Sequence, residues 1–262
     1  MCAAPLRPVD ASLACASGHS FDIAREGYVN LLPSHHRRSA RAGDDGEMIA
    51  ARQRFLAAGH YDPLLAALGA ALDGVGAIEG LLDVGCGEGF FTSRLRRGRT
   101  AGIDISRPAI RLAARACADV AFAVASAVRL PLADATFDAA LVVLAPWYAD
   151  IERVLAPGGT LLRVSPGPGH LRELKTLVYG DARAHERATL ELGTLAHVDE
   201  TQVSFTMELD AGARADLLAM TPIRHRSSAE QRARALAAGG LAVTAEFRID
   251  RFRRGGGAGA LE

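Results

Sequence analysis

The chain has 262 residues, 49% of them hydrophobic and 23% charged, which suits one large domain or a domain of about 200 residues with a small appendage. This composition excludes a disordered chain, a coiled coil and a collagen-like fibre. Thirty basic residues balance thirty acidic ones, so the chain as a whole has no nucleic-acid signature. No stretch reaches the roughly 18 apolar residues of a membrane span and no signal pattern opens the chain, so we expect a cytoplasmic protein without a membrane partner.

The first predicted unit comprises residues 1–33, which are rich in turn-forming residues. Short β-like pieces lie at Leu13–Ala14 and Tyr28–Leu32, and a unit of this length needs a staple such as a metal to form a stable core. Residues 34–46 follow as a polar, basic linker without apolar periodicity. We expect the main domain to comprise residues 47–254 and the glycine-rich residues 255–262 to form a flexible tail.

The main domain opens with two predicted helices. Apolar residues recur at helical spacing from Glu47 to Leu72, and Gly59 and Pro63 divide the stretch. Apolar runs that predict buried strands follow at Gly80–Val84, Ala101–Ile105, Val120–Ala125, Ala139–Leu144 and Thr160–Val164. Helical segments begin between them, near Phe90, Pro108 and Ile151. Such alternation predicts an α/β fold with a parallel, doubly wound sheet and ligands at the carboxyl ends of its strands.

The last third of the chain predicts a different arrangement. Leu171–Tyr179 is helix-like, whereas Thr201–Leu209 and Leu241–Ile249 alternate with period two. We expect these two runs to be antiparallel strands that close the sheet.

A glycine-rich turn follows the first predicted strand of the main domain. Asp83 ends that strand and leads into Gly85-Cys86-Gly87-Glu88-Gly89, where glycine allows a tight turn and close approach to a ligand. The next strand ends at Asp104, twenty-one residues after Asp83, where a carboxylate can accept hydrogen bonds from both ribose hydroxyls of an adenosine cofactor. A glycine turn alone is weak evidence, because such turns also connect strands and helices in unrelated α/β proteins.

Proteins that bind nicotinamide dinucleotides and proteins that bind S-adenosylmethionine both use such an acid, and the residues of the turn distinguish the two classes. A dinucleotide turn needs a further glycine where this chain has Phe90, and Glu88 would place negative charge beside a pyrophosphate. S-adenosylmethionine has no phosphate. Leu155–Thr160, which contains Pro157-Gly158-Gly159, and Phe137-Asp138 are also typical of class I methyltransferases. We therefore predict a class I, Rossmann-like S-adenosylmethionine-dependent methyltransferase.

The chain also resembles a specific family, the RlmA-type 23S rRNA (guanine-N1)-methyltransferases. The segments that carry the resemblance are His19–Pro33, Phe55–Tyr61, Asp83–Gly89 and Pro166–Lys175. The first and last of these are not general methyltransferase features, and the resemblance extends in order from about residue 2 to about residue 250. The glycine turn and the Pro-Gly-Pro stretch look more like the housekeeping, Gram-negative branch than the macrolide-resistance branch of antibiotic producers.

The resemblance implies a function and a set of site residues. Members methylate N1 of one guanine in a hairpin loop of the large-subunit ribosomal RNA, with S-adenosylmethionine as methyl donor. The residues expected to bind this cofactor, from the strand ends or from the resemblance, are Tyr61, Gly85, Gly87, Glu88, Asp104 and His170. A homodimer is expected only from the resemblance.

Two alternatives stay open. A class I methyltransferase that acts on a small molecule would leave the N-terminal unit unexplained. A zinc-ribbon RNA-binding protein that has lost activity conflicts with the intact glycine turn and with Asp104.

The acceptor side of the site is less defined. Guanine N1 carries a proton at neutral pH, but Ala145-Pro146-Trp147-Tyr148 holds no carboxylate, so no base is assigned. Trp147 is either a platform for an extruded base or a partly buried core residue. The local basic clusters are Arg37, Arg38 and Arg41; Arg224, His225 and Arg226; and Arg248, Arg251, Arg253 and Arg254. These clusters either guide phosphates to the site or form ordinary solvated surface.

The N-terminal unit resembles a zinc ribbon with an incomplete ligand set. Three residues separate Cys15 from His19, a spacing that allows two zinc ligands from one turn. Cys2 lies thirteen residues before Cys15. Structural zinc takes four ligands, and the family begins with Cys-x-x-Cys. Alignment of Cys15 and His19 places Cys2 on the second cysteine of that pair and the first cysteine before Met1. Either the start was assigned too far downstream, or the protein has lost a ligand and binds zinc weakly, or the three residues are unrelated.

Overall fold

The fold is described from a computed structural model, for residues 2, 4–32, 44–181 and 184–256. Its strands are β1 Arg7–Val9, β2 Ser12–Ala14, β3 Ser20–Asp22, β4 Val29–Asn30, β5 Gly80–Val84, β6 Arg99–Asp104, β7 Ala121–Val124, β8 Phe137–Val143, β9 Leu155–Pro166, β10 Leu195–Leu209 and β11 Leu241–Arg254. Its helices are α1 Gly46–Ala57, α2 Asp62–Asp73, α3 Phe90–Leu95, α4 Arg107–Ala116, α5 Ile151–Val154, α6 Arg172–Tyr179, α7 Ala211–Met220, α8 Ile223–Arg226 and α9 Ala229–Ala237.

Eight strands form one mixed sheet in the described part of the chain, in the order β10-β11-β9-β8-β5-β6-β7-β4. Strands β4 to β9 pair with one another in parallel, whereas β11 is antiparallel to both β9 and β10. The carboxyl ends of the parallel strands therefore meet at one edge. The predicted α/β class and the two closing antiparallel strands are confirmed.

The two faces of the sheet bury separate apolar clusters because successive side chains of a strand point to opposite faces. On β5, Leu81 packs in the cluster that contains residues of α2, α6, α7 and α9, and Leu82 packs in the cluster that contains α5. Both leucines are fully buried, as is Leu141 of β8. Layers of this kind fix the strand ends, and thus the site, relative to one another.

Helices α1 and α2 meet at Gly59, whose φ of +82° is one that glycine adopts without strain. The Asp45 side chain caps α1 by accepting hydrogen bonds from the backbone of Glu47 at 3.0 Å and Met48 at 2.9 Å. In the described residues no single helix is long and apolar enough to span a membrane, and only α1 and α2 together, bent by 80°, match such a span in length and composition.

The N-terminal residues form a small antiparallel sheet of β1, β2 and β3, and their last strand joins the main sheet. In β4, Val29 pairs with Ala123 and Asn30 with Val124 of β7, in parallel. Buried Tyr28 packs in the cluster of α4 and accepts a 3.0 Å hydrogen bond from Arg107 Nε. The strand assigned from sequence to the first unit is thus an edge strand of the main domain. The boundary after residue 33 stays a prediction, because it and most of the predicted linker lie outside the described residues.

Other bounds differ from the sequence-based ones. Strand β9 begins at Leu155, β10 begins at Leu195, and β11 continues to Arg254. Helices α7, α8 and α9 have no counterpart in the sequence-based prediction. Of the predicted tail, only residues 255 and 256 are described.

Candidate active site

A cavity of about 1280 Å³ opens at the carboxyl edge of the parallel strands. Residues from the ends of β5, β6, β8 and β9 line it, together with residues of α1, α6 and α8. The structure brings together in this one cavity all the residues that were predicted to bind the cofactor, namely Tyr61, Gly85, Gly87, Glu88, Asp104 and His170.

The glycine turn is locked to Asp104 by backbone hydrogen bonds. Gly87 N–H donates to Asp104 Oδ2 at 3.0 Å, and Ser106 N–H donates to Oδ1 at 2.7 Å. Gly85 has a φ of +78°, and a Cβ there would lie 2.6 Å from the Cβ of Ala145. Burial raises the pKa of Asp104 above its usual value. The carboxylate therefore stands at the end of β6, partly desolvated, with lone pairs left for ribose hydroxyls.

Asp83 is a site residue that the sequence marked only as a strand end. It is 1% exposed and lines the cavity. Thr92 Oγ1 donates to its Oδ2 at 2.6 Å, while Oδ1 has no hydrogen-bond partner among the described residues. Burial raises the pKa of Asp83 to about 7. A buried, unpartnered carboxylate oxygen in a cofactor cavity fits the α-ammonium group of S-adenosylmethionine.

Glu88 is bound by an arginine that sequence reasoning missed. The Arg52 guanidinium donates to Glu88 Oε2 from Nε at 2.8 Å and from Nη2 at 2.7 Å, and it also pairs with Asp44. Burial lowers the pKa of Arg52, but the two carboxylates outweigh it and raise the pKa. Arg52 shares one face of α1 with buried Ile49 and Leu56, and a charged residue on an apolar helix face is a signal that could have identified it.

Tyr61 and His170 both rest on Phe247 of β11. The Tyr61 ring packs edge-on at 5.1 Å from the Phe247 ring, and the His170 ring lies 4.6 Å from it. His170 Nδ1 accepts a 3.3 Å hydrogen bond from the backbone of Glu246. Burial lowers the pKa of His170 to about 3, so its imidazole is neutral. Burial raises the pKa of Tyr61, so its hydroxyl keeps its proton.

The segment after β8 presents Tyr148, and not Trp147, to the cavity. Trp147 packs against the apolar cluster of α5, and its indole N–H donates to the Glu191 carbonyl at 3.2 Å. The structure therefore favours the core role for Trp147. Leu144, at the cavity, has a φ of +55° and is 42% exposed, an uncommon combination for leucine.

Most of the predicted basic clusters are used inside the fold. Arg224 pairs with Asp45 at 3.3 Å and Glu47 at 2.8 Å, and Arg251 pairs with Asp199. Of the clustered arginines in the described residues, only Arg226 lines the cavity. The cluster of Arg37, Arg38 and Arg41 lies outside the described residues.

The three predicted zinc ligands meet at the N-terminal sheet. Cys2 Sγ lies 3.6 Å from Cys15 Sγ and 3.3 Å from His19 Nδ1, and Cys15 Sγ lies 3.4 Å from the same nitrogen. Tetrahedral zinc with thiolate and imidazole ligands has ligand–ligand edges of about 3.6–3.8 Å. Hydrogen bonds from the Ser17 side chain and the Ala4 backbone lower the pKa of Cys2 to about 6, towards the thiolate. The three residues fit three of the four zinc positions.

Comparison with known proteins adds family evidence. A family model described as the N-terminal zinc ribbon of RlmA matches residues 1–40, and one described as a methyltransferase domain matches residues 82–163. A Streptomyces fradiae protein named 23S rRNA (guanine(748)-N(1))-methyltransferase is 39% identical over 249 residues, covering 90% of this chain and 88% of the relative. A Micromonospora griseorubida protein named as a candidate 23S rRNA (guanine-N(1))-methyltransferase is 45% identical over 199 residues, covering 66% of each chain.

A solved structure is similar in fold. The Bacillus subtilis YcgJ protein superposes with a TM-score of 0.52 at 15% identity, covering 73% of this chain and 99% of that one. At this identity the likeness concerns the fold alone, and it agrees with the predicted α/β architecture.

Proposed function

The chain belongs to the family of 23S rRNA (guanine-N1)-methyltransferases, and from this premise we propose that it transfers a methyl group from S-adenosylmethionine to N1 of a guanine in a hairpin loop of 23S ribosomal RNA. The observation that carries the proposal in the structure is the cavity in which the predicted cofactor residues converge. A small-molecule substrate would leave the N-terminal zinc-ribbon match without a role.

The cofactor half of the cavity is assigned to the ends of β5 and β6. Asp104 accepts hydrogen bonds from the ribose hydroxyls, and the unpartnered oxygen of Asp83 accepts from the α-ammonium group. Ile105 and Val128 line the cavity with 38% and 72% of their surfaces exposed, and they suit an adenine ring. Tyr61 and His170 line the same cavity where they pack on Phe247 of β11.

S-adenosylmethionine supplies an already activated methyl group on its sulfonium. The protein therefore has to align the acceptor atom, exclude water and deal with the N1 proton. At the acceptor half, the Tyr148 ring offers a face on which an extruded base can stack, and Leu144 and Tyr179 add apolar surface.

RNA recognition is assigned to both parts of the chain. We place zinc at Cys2, Cys15 and His19, where it would hold the small N-terminal sheet in one conformation. Arg226 at the cavity contributes positive charge for phosphate. The homodimer and the housekeeping branch stay predictions; the relatives named above come from Streptomyces and Micromonospora.

The test is a methylation assay on unmodified 23S ribosomal RNA and on hairpin fragments of it, with a labelled methyl donor. A methyl group on N1 blocks base pairing, so reverse transcription stops at the modified guanine. We expect a stop in the loop that contains guanine 748, the position in the name of the Streptomyces relative. Absence of label on any RNA, with the cofactor bound normally in calorimetry, contradicts the proposal and favours the small-molecule alternative.

A further inference from the structure

Lys175 is the only lysine among the thirty basic residues of the chain. Arginine presents a planar fork of donors, whereas lysine presents a compact point charge on a flexible stem. Position 175 is therefore the one Lys/Arg position of the chain that presents an ammonium group and not a guanidinium.

Lys175 lies in the acceptor half of the cavity. It is on α6, half-buried, and lines the cavity with Tyr179 of the same helix. Among the described residues, no acidic side chain forms an ion pair or hydrogen bond with it. Burial lowers the pKa of Lys175. A half-buried ammonium without an acidic partner is available to a ligand.

The start of α6 is fixed to β11, which places Lys175 firmly. Leu171, which has a φ of +58°, donates its N–H to the Thr244 carbonyl at 2.8 Å. The Thr244 backbone N–H and hydroxyl both donate to the Glu173 carboxylate at 2.8 Å. Lys175 N–H continues the helix by donating to the Leu171 carbonyl at 2.9 Å. The strained residue at the cavity is thus held by bonds on both sides.

His185 faces the same part of the cavity from the segment after α6. Its backbone N–H donates to the Pro168 carbonyl at 3.1 Å, and its ring centroid lies 6.0 Å from that of His170. The charged groups around it are Lys175 of α6, Arg248 of β11 and Arg226 of α8. Burial, together with these three cations, lowers the pKa of His185. Its imidazole is therefore neutral at pH 7 and can accept a proton.

We propose that His185 accepts the N1 proton of the target guanine and that Lys175 donates a hydrogen bond to guanine O6. This inference rests on the proposed function, because it assumes that the acceptor atom is guanine N1. It assigns the base that the sequence could not identify. The same cations that keep His185 neutral also favour the anionic form of guanine, whose charge is shared between N1 and O6.

The step balances in protons and electrons. The N1–H bond breaks, its electron pair stays on N1, and the proton moves to a ring nitrogen of His185. N1 uses that pair to take the methyl group, and the electron pair of the broken carbon–sulfur bond stays on sulfur. The imidazolium then releases its proton to water, which its low pKa makes easy.

Asp181 is the competing base, since it also lines the cavity. Its side chain is exposed at the end of α6. An exposed, hydrated carboxylate is a weaker base than an imidazole. Its negative charge would also oppose the developing charge on guanine, which the cationic surroundings of His185 stabilise.

The test compares single-turnover methylation of the hairpin RNA by the wild type and by His185→Asn, Lys175→Arg, Lys175→Met and Asp181→Asn. For His185→Asn we expect the rate at pH 7 to fall by about 100-fold or more, the usual size of a general-base contribution. The loss should shrink as the pH rises towards the pKa of guanine N1 itself. Lys175→Met should lose more rate than Lys175→Arg, because arginine keeps the charge. His197→Asn, a histidine outside the cavity, should retain the wild-type rate.

Binding measurements separate catalysis from structure. The dissociation constants of the cofactor by calorimetry and of the RNA by fluorescence anisotropy should change by less than about threefold in His185→Asn. Wild-type rates in this variant, or a loss that is the same at every pH and matches a loss of RNA binding, overturn the inference. Loss of rate in Asp181→Asn alone also overturns it. If the wild type itself does not methylate guanine N1, the proposed function fails, and this inference fails with it.

Discussion

We expect a single carboxylate, Asp104, to decide how tightly the cofactor is held. Its two backbone hydrogen bonds leave it oriented towards the cavity, and its burial raises its pKa. Asp104→Ala removes a charge-assisted acceptor for two hydroxyls, so we expect cofactor binding to weaken by about 2 kcal/mol or more. Calorimetry measures this directly. Asp73→Ala is the control, because Asp73 pairs with Arg97 at the surface and should leave binding unchanged. An unchanged dissociation constant for Asp104→Ala would mean that the ribose is held elsewhere.

We expect Asp83 to make cofactor binding depend on pH. Burial raises the pKa of its carboxyl to about 7 in the free protein, so the group is mostly protonated at pH 6. The cationic α-ammonium favours the carboxylate, so binding releases a proton, and affinity should rise with pH from about 6 to 7.5, where the α-amino group begins to lose its own proton. Calorimetry in buffers of different ionisation enthalpy counts the protons. Asp83→Asn should bind more weakly and lose this dependence; an unaltered pH profile in that variant would assign the proton to another group.

At the level of secondary structure, a buried arginine joins two helices that the sequence did not reveal. Arg214 of α7 is 1% exposed and donates to the carbonyls of Leu236 at 3.0 Å, Ala238 at 2.6 Å and Gly239 at 2.5 Å. It thereby satisfies carbonyls at the end of α9.

Replacement of this cap should cost stability without affecting the site. Arg214→Met removes the buried guanidinium that serves three carbonyls at the end of α9, and we expect the free energy of unfolding to fall by about 2–4 kcal/mol in denaturant titrations. Arg54→Met removes the ion pair between exposed Arg54 of α1 and Asp216 of α7. This change should lower the free energy of unfolding by less than about 1 kcal/mol. Cofactor affinity of the folded Arg214→Met protein should be unchanged. Equal losses in the two variants would argue that the cap contributes nothing beyond a surface pair.

The same elements show what the sequence can and cannot predict. The five central strands are continuous apolar runs, and both faces of a parallel sheet are buried, so their positions follow from hydrophobicity. Helices α7 to α9 are short, and Arg214 interrupts the apolar stripe of α7 with a charge that only tertiary packing satisfies. The additional start of β10 is polar and carries a bulge between His197 and Asp199, so no alternation marks it.

The residues of the site also differ in whether the local sequence predicts them. The glycine turn and Asp104 are local to one strand–turn–helix unit and one neighbouring strand, so sequence spacing predicts them. Arg52 meets Glu88 only because α1 packs over the turn, and His185 meets Lys175 only because the segment after α6 folds back to Pro168. Contacts between distant segments depend on the completed fold, and no local pattern encodes them.

At the scale of the whole molecule, strand β4 joins the N-terminal sheet to the methyltransferase domain. The chain passes from β3 through a turn into β4, and Tyr28 anchors this passage against α4. A change in the N-terminal sheet can therefore reach the edge of the main sheet, but β7 separates this edge strand from β6, and β7 and β6 together separate it from β5. The two functions of the chain, RNA recognition and cofactor binding, should separate in variants of the zinc ligands.

Cys15→Ser and His19→Ala test this separation. Each removes one of three clustered ligands, and since a small unit of this kind depends on its metal for order, we expect loss of bound zinc in elemental analysis. Methylation of the hairpin RNA should fall through a higher KM for RNA, while the cofactor dissociation constant stays within about twofold because Asp104 and the glycine turn are untouched. The Cys117→Ala variant, in which a buried cysteine directly after α4 is replaced, should keep its zinc. Zinc retained in full by both ligand variants would show that other residues hold the metal. A parallel loss of cofactor binding would show that the N-terminal sheet supports the whole domain and not RNA recognition alone.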